Sequence, residues 1–246
     1  MVFVRLVAGL NAVDAGLWGP AELEESIGLE MRGVQDPELL LHQDRLMTLR
    51  IGVAQIPRRF PGPWMLALVQ PGSHGGLRGP AALTRVVTDL LPEEELFEAV
   101  PVAIHHQGGL ALTLGWEPIG NEAVQMMAVH EAERPLLPPT PAEATRTLME
   151  EMKRATDVLA SRPRMPGIRP EAAPTTPLGP AYPPACQQLF DRAMTVLGIA
   201  DRGCSQVEQG LHSHSITTSQ DALHPLRQAA LDAIAAAISW PSHQMV

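Results

Sequence analysis

Residues 64–91 constrain the fold more than any other part of the chain. They begin with an unbroken apolar run at 64–69, continue through a turn-rich segment at 71–80, and end in a helical pattern. The apolar residues of that pattern follow the spacing of one helix face: Leu83, Val86, Val87, Leu90 and Leu91. This order predicts a buried strand, a glycine loop and a helix over 80–91 that packs back onto the strand.

Three more strand patterns follow, at 99–104, 110–116 and 123–130. Leu110, Leu112 and Leu114 alternate with other residues, which indicates a strand with one buried face. Helical and strand patterns do not alternate regularly, so we predict an α+β fold rather than a doubly wound sheet. Residues 1–135 are expected to form a small, largely antiparallel sheet with helices. Residues 44–54 fit a strand or a helix, and helix is the preferred interpretation.

The remainder is predicted to be helical apart from one proline-rich segment. Thr140, Pro141 and Glu143 form a capping box that starts a connecting helix within 136–162. Residues 163–184 contain eight prolines and are predicted to be a non-helical strap extended on the surface. Residues 185–246 are predicted to form a helical hairpin. Its polar loop is placed at 201–217, and its second helix is expected to kink or restart at Pro225.

Charge and cysteine content exclude several classes of protein. The net charge of −9 argues against binding to nucleic acid or to an anionic membrane surface. No apolar run approaches the about 20 residues that span a bilayer. Arg5, Asn11 and Asp14 interrupt the apolar N-terminus, unlike the core of a signal peptide. With only two cysteines, the sequence favours a cytoplasmic protein with reduced thiols.

The glycine loop is the candidate ligand-binding site. Glycines allow backbone N–H groups to approach an anion, and the following helix would add the positive end of its dipole. The loop lacks the sequence patterns of nucleotide-binding loops, and the chain's single lysine, Lys153, lies far from it in sequence. The alternative is an ordinary connection in which glycine permits tight turns. The candidate residues are Gly72, His74, Gly75, Gly76, Arg78 and Gly79.

Metal binding and nucleophilic catalysis have little support in the sequence. Cys204, His212 and His214 include zinc donors, but their spacing matches no standard site. No nucleophile-elbow motif is present, and Cys186 falls in the apolar stripe of a predicted helix. We therefore predict no metal site and no cofactor, and we assign no catalytic residues.

Several short motifs together resemble a family of actinobacterial proteins of this length. The motifs are Val4-Arg5-Leu6, Leu10-Asn11-Ala12, Leu68-Val69-Gln70-Pro71-Gly72, Gly79-Pro80-Ala81-Ala82, Pro180-Ala181-Tyr182-Pro183-Pro184, and Leu226 after Pro225. No activity is assigned to that family, so the resemblance implies a lineage and no catalytic residues.

These observations favour a non-enzymatic protein-interaction or regulatory module with a protein partner. A proline-rich segment that can be bound as polyproline II supports this interpretation. The alternative is an enzyme or sensor for a small molecule or a phosphate-bearing ligand, acting through the glycine loop 72–79. The sequence leaves open whether the protein is an enzyme and whether it forms a homo-oligomer.

Overall fold

The computed structural model describes residues 2–31, 39–42, 45–91, 99–119, 122–160, 176–208 and 213–242. The helices found there are α1 (Val2–Asp14), α2 (Pro20–Met31), α3 (Leu49–Arg59), α4 (Ala81–Asp89), α5 (Pro141–Ala160), α6 (Pro184–Glu208) and α7 (Ser213–Ser239). The strands are β1 (Leu39–His42), β2 (Arg45–Thr48), β3 (Trp64–Val69), β4 (Val100–His105), β5 (Ala111–Ile119) and β6 (Glu122–His130). The predicted α+β class is confirmed.

All the described strands join one six-stranded sheet, in the order β2-β1-β6-β5-β4-β3. Strands β3 to β6 are antiparallel neighbours, whereas β1 is parallel to β6 and antiparallel to β2. The predicted largely antiparallel sheet with helices is therefore confirmed. Strand β3, which holds the apolar run, lies at one edge of this sheet.

The preferred helical interpretation of residues 44–54 is wrong at its start. Residues 45–48 form β2, and α3 begins only at Leu49. Strand β2 pairs along its whole length with β1, for example Met47 opposite Leu40. Pairing with a neighbouring strand decides the conformation of such a short segment, because intrinsic strand preference depends strongly on context.

Helix α4 packs on the sheet as its apolar pattern predicts. Leu83 and Val87 are almost completely buried and lie one helical turn apart. Their cluster contains residues of β3, β4 and β5 together with one residue after β6: Ala67, Val69, Val102, Ile104, Ala111 and Ala132. This packing fixes the position of the glycine loop, which connects β3 to α4.

The outer edge of β3 is closed by side chains rather than by another strand. The Asn11 amide nitrogen donates to the Trp64 carbonyl at 3.0 Å, and the Asn11 amide oxygen accepts from the Trp64 N–H at 2.7 Å. The Leu66 N–H, two residues along, donates to Ser239 Oγ at 3.1 Å. Alternate residues of a strand direct their polar groups to the same edge, so both partners meet the outer edge of β3.

Tyr182 extends this hydrogen-bond network. Its hydroxyl accepts from the Asn11 amide nitrogen at 2.7 Å and donates to the Ile238 carbonyl at 2.6 Å.

Of the predicted strap, residues 163–175 lie outside the described residues, and 176–183 contain no helix. Leu178, Ala181 and Tyr182 are nevertheless buried, so the predicted surface position of the strap is wrong for them. The polar network and its apolar surroundings hold this part of the strap inside the fold.

The capping box of α5 is confirmed. The Thr140 N–H donates to the Glu143 carboxylate at 2.9 Å, and the Glu143 N–H donates to the Thr140 hydroxyl at 3.3 Å. The threonine hydroxyl also donates to that carboxylate at 2.7 Å, and these hydrogen bonds lower the pKa of Glu143. Along α5, Leu148 and Ala155 are buried, whereas Leu159 is exposed.

The last two helices are longer than predicted. The prediction of a polar loop at 201–217 is therefore wrong for those of its residues that the structure describes. Residues 201–208 belong to α6, and residues 213–217 belong to α7. Val196, Ala200 and Cys204 are buried at a spacing of four, so the apolar stripe of α6 continues past the predicted end. Helix α7 runs through Pro225, so the predicted restart there is wrong, whereas the alternative of a kink stays a prediction. Residues 233–239 are all buried, and this packing outweighs the hydrogen bond lost at the proline.

The chain divides into two compact units. Unit 1 contains Met1–Pro138, Leu178–Pro183 and Ile238–Val246, and unit 2 contains Pro139–Pro177 and Pro184–Ala237. Within unit 2, the buried Arg227 guanidinium donates to the Asp201 carboxylate at 2.7 Å and joins α6 to α7. Among the described residues, no helix combines the length and the apolar content needed to cross a bilayer.

Candidate functional site at the glycine loop and the adjoining leucine segment

The glycine loop folds as two consecutive tight turns. Gln70 and Ser73 exchange two backbone hydrogen bonds, of 2.8 and 3.0 Å, around Gly72. The Leu77 N–H then donates to the His74 carbonyl at 2.8 Å around Gly75 and Gly76. These three glycines have φ angles of 80°, 55° and 82° respectively, in the left-handed region that favours glycine.

Close approach of neighbouring backbone adds a second requirement for glycine in the second turn. A Cβ atom on Gly75 would lie 2.5 Å from the Leu68 carbonyl oxygen, because the loop folds back over β3. A Cβ atom on Gly76 would lie 2.9 Å from the Leu136 carbonyl oxygen. Turn geometry and backbone contact therefore account for glycine at these positions without a ligand.

The other candidate ligand-binding residues lie on the surface or close to it. His74 and Arg78 are exposed, and Gly79 is half-buried at the entrance to α4. No hydrogen bond or ion pair of the His74 or Arg78 side chain is found within the described part of the chain. The structure thus places these residues in one ordered surface loop, where the two side chains face solvent.

Residues 131–138, the leucine segment, run beside the glycine loop. The Glu133 N–H donates to the Arg78 carbonyl at 3.1 Å, and the Leu136 N–H donates to the Gly76 carbonyl at 2.9 Å. On the other side, the Gly109 N–H donates to the Ala132 carbonyl at 2.7 Å. Two loops of unit 1 therefore hold the backbone of the leucine segment in place.

Two leucine side chains project from this segment into solvent. Leu136 is 58% exposed and Leu137 is 60% exposed, whereas Pro135 beside them is buried. They are the two most exposed large apolar side chains among the described residues. Single exposed leucines are common on protein surfaces, but adjacent ones on a fixed backbone offer a continuous apolar contact.

Sequence reasoning did not identify the leucine segment as a site. The available signal was Pro135 and Pro138 flanking two leucines, a pattern that predicts an extended surface segment. Nothing in the sequence indicates that this segment pairs with the glycine loop. That pairing joins residues about 60 positions apart, and tertiary structure alone brings them together.

The histidines of the sheet mainly organise structure. His105 is buried, and its ring nitrogens lie 3.1 Å from the Gly108 carbonyl oxygen and 3.0 Å from that of Pro61. The rings of Trp64 and His106 pack against His105 edge-on, at centroid distances of 5.5 and 4.9 Å. Burial and the neighbouring His105 ring lower the pKa of His106. This cluster fixes the turn between β4 and β5, which contacts the leucine segment through Gly109.

Thr113 and His130 have the geometry of a nucleophile and a base. The Thr113 hydroxyl lies 2.7 Å from His130 Nε2, and burial lowers the pKa of His130. Thr113 is only 1% exposed, however, so a substrate could not reach its hydroxyl in this conformation. The pair instead satisfies a buried hydroxyl between β5 and β6.

Of the three residues considered for zinc, the structure describes the side chain of Cys204 alone. Cys204 is buried in α6, His212 lies outside the described residues, and the His214 side chain is not described. No group of three or more candidate metal-binding side chains occurs among the residues whose placement is described. Burial raises the pKa of the Cys186 thiol to about 11, which disfavours the reactive thiolate.

Comparison with known proteins links the C-terminal helices to one family. Residues 142–235 match a family model. The matched family is described as Rv1486c-like protein, C-terminal domain. No curated protein and no solved structure matched the chain. The matched region contains most of α5 and α7 and all of α6, whereas the glycine loop and the leucine segment lie outside it.

Proposed function

We propose that this protein is a non-enzymatic interaction or regulatory module that binds a protein partner through the leucine segment. The observation that carries the proposal is the exposure of Leu136 and Leu137 on a backbone fixed to the folded unit. Burying one such side chain at an interface would contribute about 1.5–3 kcal/mol. Because the backbone is already ordered, little conformational entropy would be lost on binding.

The potentially reactive groups among the described residues give weaker support to an enzymatic function. The Thr113 hydroxyl is inaccessible, the Cys186 thiol has a raised pKa, and the glycines of the loop have structural roles. The description of the family that matches the C-terminal helices names no activity. We infer a cytoplasmic location from the low cysteine content of the chain, which has only two cysteines, and an actinobacterial lineage from the sequence resemblance.

Photo-crosslinking in the native cell tests the proposed interaction. With p-benzoylphenylalanine in place of Leu136, we expect a discrete covalent adduct with one protein, identified by mass spectrometry. Leu17 provides a matched control, because it is another exposed leucine of unit 1, at 53% exposure. The same photo-reactive residue at position 17 should not give that adduct. If position 136 yields no protein adduct, or the same adducts as position 17, the proposed function is wrong.

An anion site at the glycine loop is the alternative function. It is favoured by the exposed Arg78 and His74 side chains, which have no described protein partner. Under the preferred proposal, Arg78→Ala and His74→Ala should each change the free energy of unfolding by no more than about 0.5 kcal/mol. Arg85→Ala, an exposed arginine on α4, is the control for removal of a positive charge.

Thermal shift with nucleotides and sugar phosphates distinguishes the two functions. We expect no saturable rise in the melting temperature of the wild-type protein. An anion site would instead give a rise that Arg78→Ala abolishes and Arg85→Ala retains, because a ligand that binds only the folded state stabilises it. That result would favour the ligand-binding alternative.

A further inference from the structure

Burial along the leucine segment repeats every three residues. Ala132 and Pro135 are buried and Pro138 is half-buried, whereas the two residues after Ala132 and the two after Pro135 are exposed. An α-helix would repeat every 3.6 residues and a strand every two, but a polyproline II helix has three residues per turn. The burial pattern therefore matches a polyproline II helix with one edge against the protein and two edges in solvent.

The hydrogen bonds show the same repeat. Glu133 and Leu136, three residues apart, both donate their N–H groups to the glycine loop. Pro135 and Pro138 fix their own φ angles, and each also restricts the preceding residue to extended conformations. Contacts with the protein and local sterics thus favour the same conformation.

From this geometry we propose that the leucine segment is a preformed polyproline II ligand for an aromatic-lined groove on a different protein. This inference rests on the proposed interaction function and adds the class of partner. Such grooves bind the exposed edges of a polyproline II helix, and their tryptophan and tyrosine side chains donate hydrogen bonds to its free carbonyls. Leu136 and Leu137, one on each exposed edge, would fill the groove.

The availability of N–H groups argues against a partner that adds a strand. Strand addition needs a row of free N–H and C=O groups along one edge. Within 133–138, the two prolines have no N–H, and Glu133 and Leu136 already donate theirs to the loop. Only Arg134 and Leu137 retain an N–H without a described acceptor. Two isolated donors support little of a strand ladder.

The charge of the leucine segment and the burial of this chain's own aromatic side chains narrow the class of partner further. Arg134 is exposed and lies three residues before Leu137, on the same edge of the polyproline II helix. The groove should therefore carry a carboxylate beside the pocket for Leu137. A second copy of this chain is a poor partner, because its described Phe, Tyr and Trp side chains are buried or half-buried.

Substitutions at Leu137 test the binding mode in the full-length chain with the photo-reactive residue at position 136. Leu137→Pro keeps an apolar side chain and the polyproline II conformation but removes the N–H. Leu137→Asp keeps the N–H but places a charge where the groove would be apolar. We expect adduct yield within about threefold of the parent for the proline variant and a loss of about tenfold or more for the aspartate variant. The crosslinked peptide of the partner should contain or adjoin tryptophan or tyrosine.

The results separate failure of this inference from failure of the proposed function. If Leu137→Pro abolishes the adduct as completely as Leu137→Asp, the partner uses the Leu137 N–H, and the polyproline mode is wrong while the interaction stands. A partner peptide without nearby aromatic residues overturns the inference in the same way. Absence of any adduct in the parent overturns both. Circular dichroism of each variant should match the parent, because residue 137 is exposed and makes no described hydrogen bond.

Discussion

Asn11→Ala is expected to lower the free energy of unfolding by about 2–6 kcal/mol, since each buried polar group left unpaired costs about 1–3 kcal/mol. Asn11 is completely buried, and its amide satisfies both the N–H and the carbonyl of Trp64. Alanine would leave those two groups facing a cavity at the edge of β3. Urea denaturation followed by circular dichroism measures the loss, and hydrogen exchange of the Trp64 amide should accelerate.

Two companion variants make the Asn11 result specific. Tyr182→Phe removes only the hydroxyl and should cost less, because Asn11 would still bind both groups of Trp64. The double variant should show a coupling free energy of about 0.5–3 kcal/mol, as expected for residues in contact. Gln188→Ala, at an exposed amide of α6, should change stability by no more than about 0.5 kcal/mol. Equal effects of Asn11→Ala and Gln188→Ala would contradict the proposed role of Asn11.

Local sequence patterns were sufficient to predict the central part of the fold. The apolar run of β3 is buried along almost its whole length, and the helical spacing of Leu83 and Val87 buries one face of α4 against it. The Thr140–Glu143 capping box depends on residues three apart and was predicted correctly. Each of these features is determined by interactions within one element or between neighbouring elements.

Features that depend on distant residues could not be predicted in this way. In the sequence, Asn11 is a polar residue that interrupts an apolar helix. Its role is to bind the backbone of Trp64, which lies 53 positions away and is brought near only by the fold. Strand β2 is a strand because β1 pairs with it, and α7 passes through Pro225 because the following turns are buried. The leucine segment was overlooked because its conformation depends on carbonyl groups of the glycine loop.

The glycine loop itself gives the second large predicted effect. Gly75→Ala should lower the free energy of unfolding by about 2–5 kcal/mol, combining a left-handed backbone with a steric clash. The added methyl group would lie 2.5 Å from the Leu68 carbonyl oxygen and 2.8 Å from the Leu68 backbone nitrogen. Both atoms belong to β3, which cannot move without disturbing its pairing with β4. Urea denaturation of the full-length chain measures the loss.

Gly72→Ala is the matched control, since Gly72 also has a positive φ angle but has open space where the methyl group would lie. Gly72→Ala should lower the free energy of unfolding by about 1–2 kcal/mol, which is the cost of the left-handed backbone alone. A larger loss of stability for Gly75→Ala than for Gly72→Ala would support the conclusion that Gly75 mainly allows the loop to fold back on β3. Equal losses would show that the clash relaxes without cost and that backbone contact does not explain Gly75. The thermal shift of Arg78→Ala would then test whether a bound ligand explains the glycine at position 75.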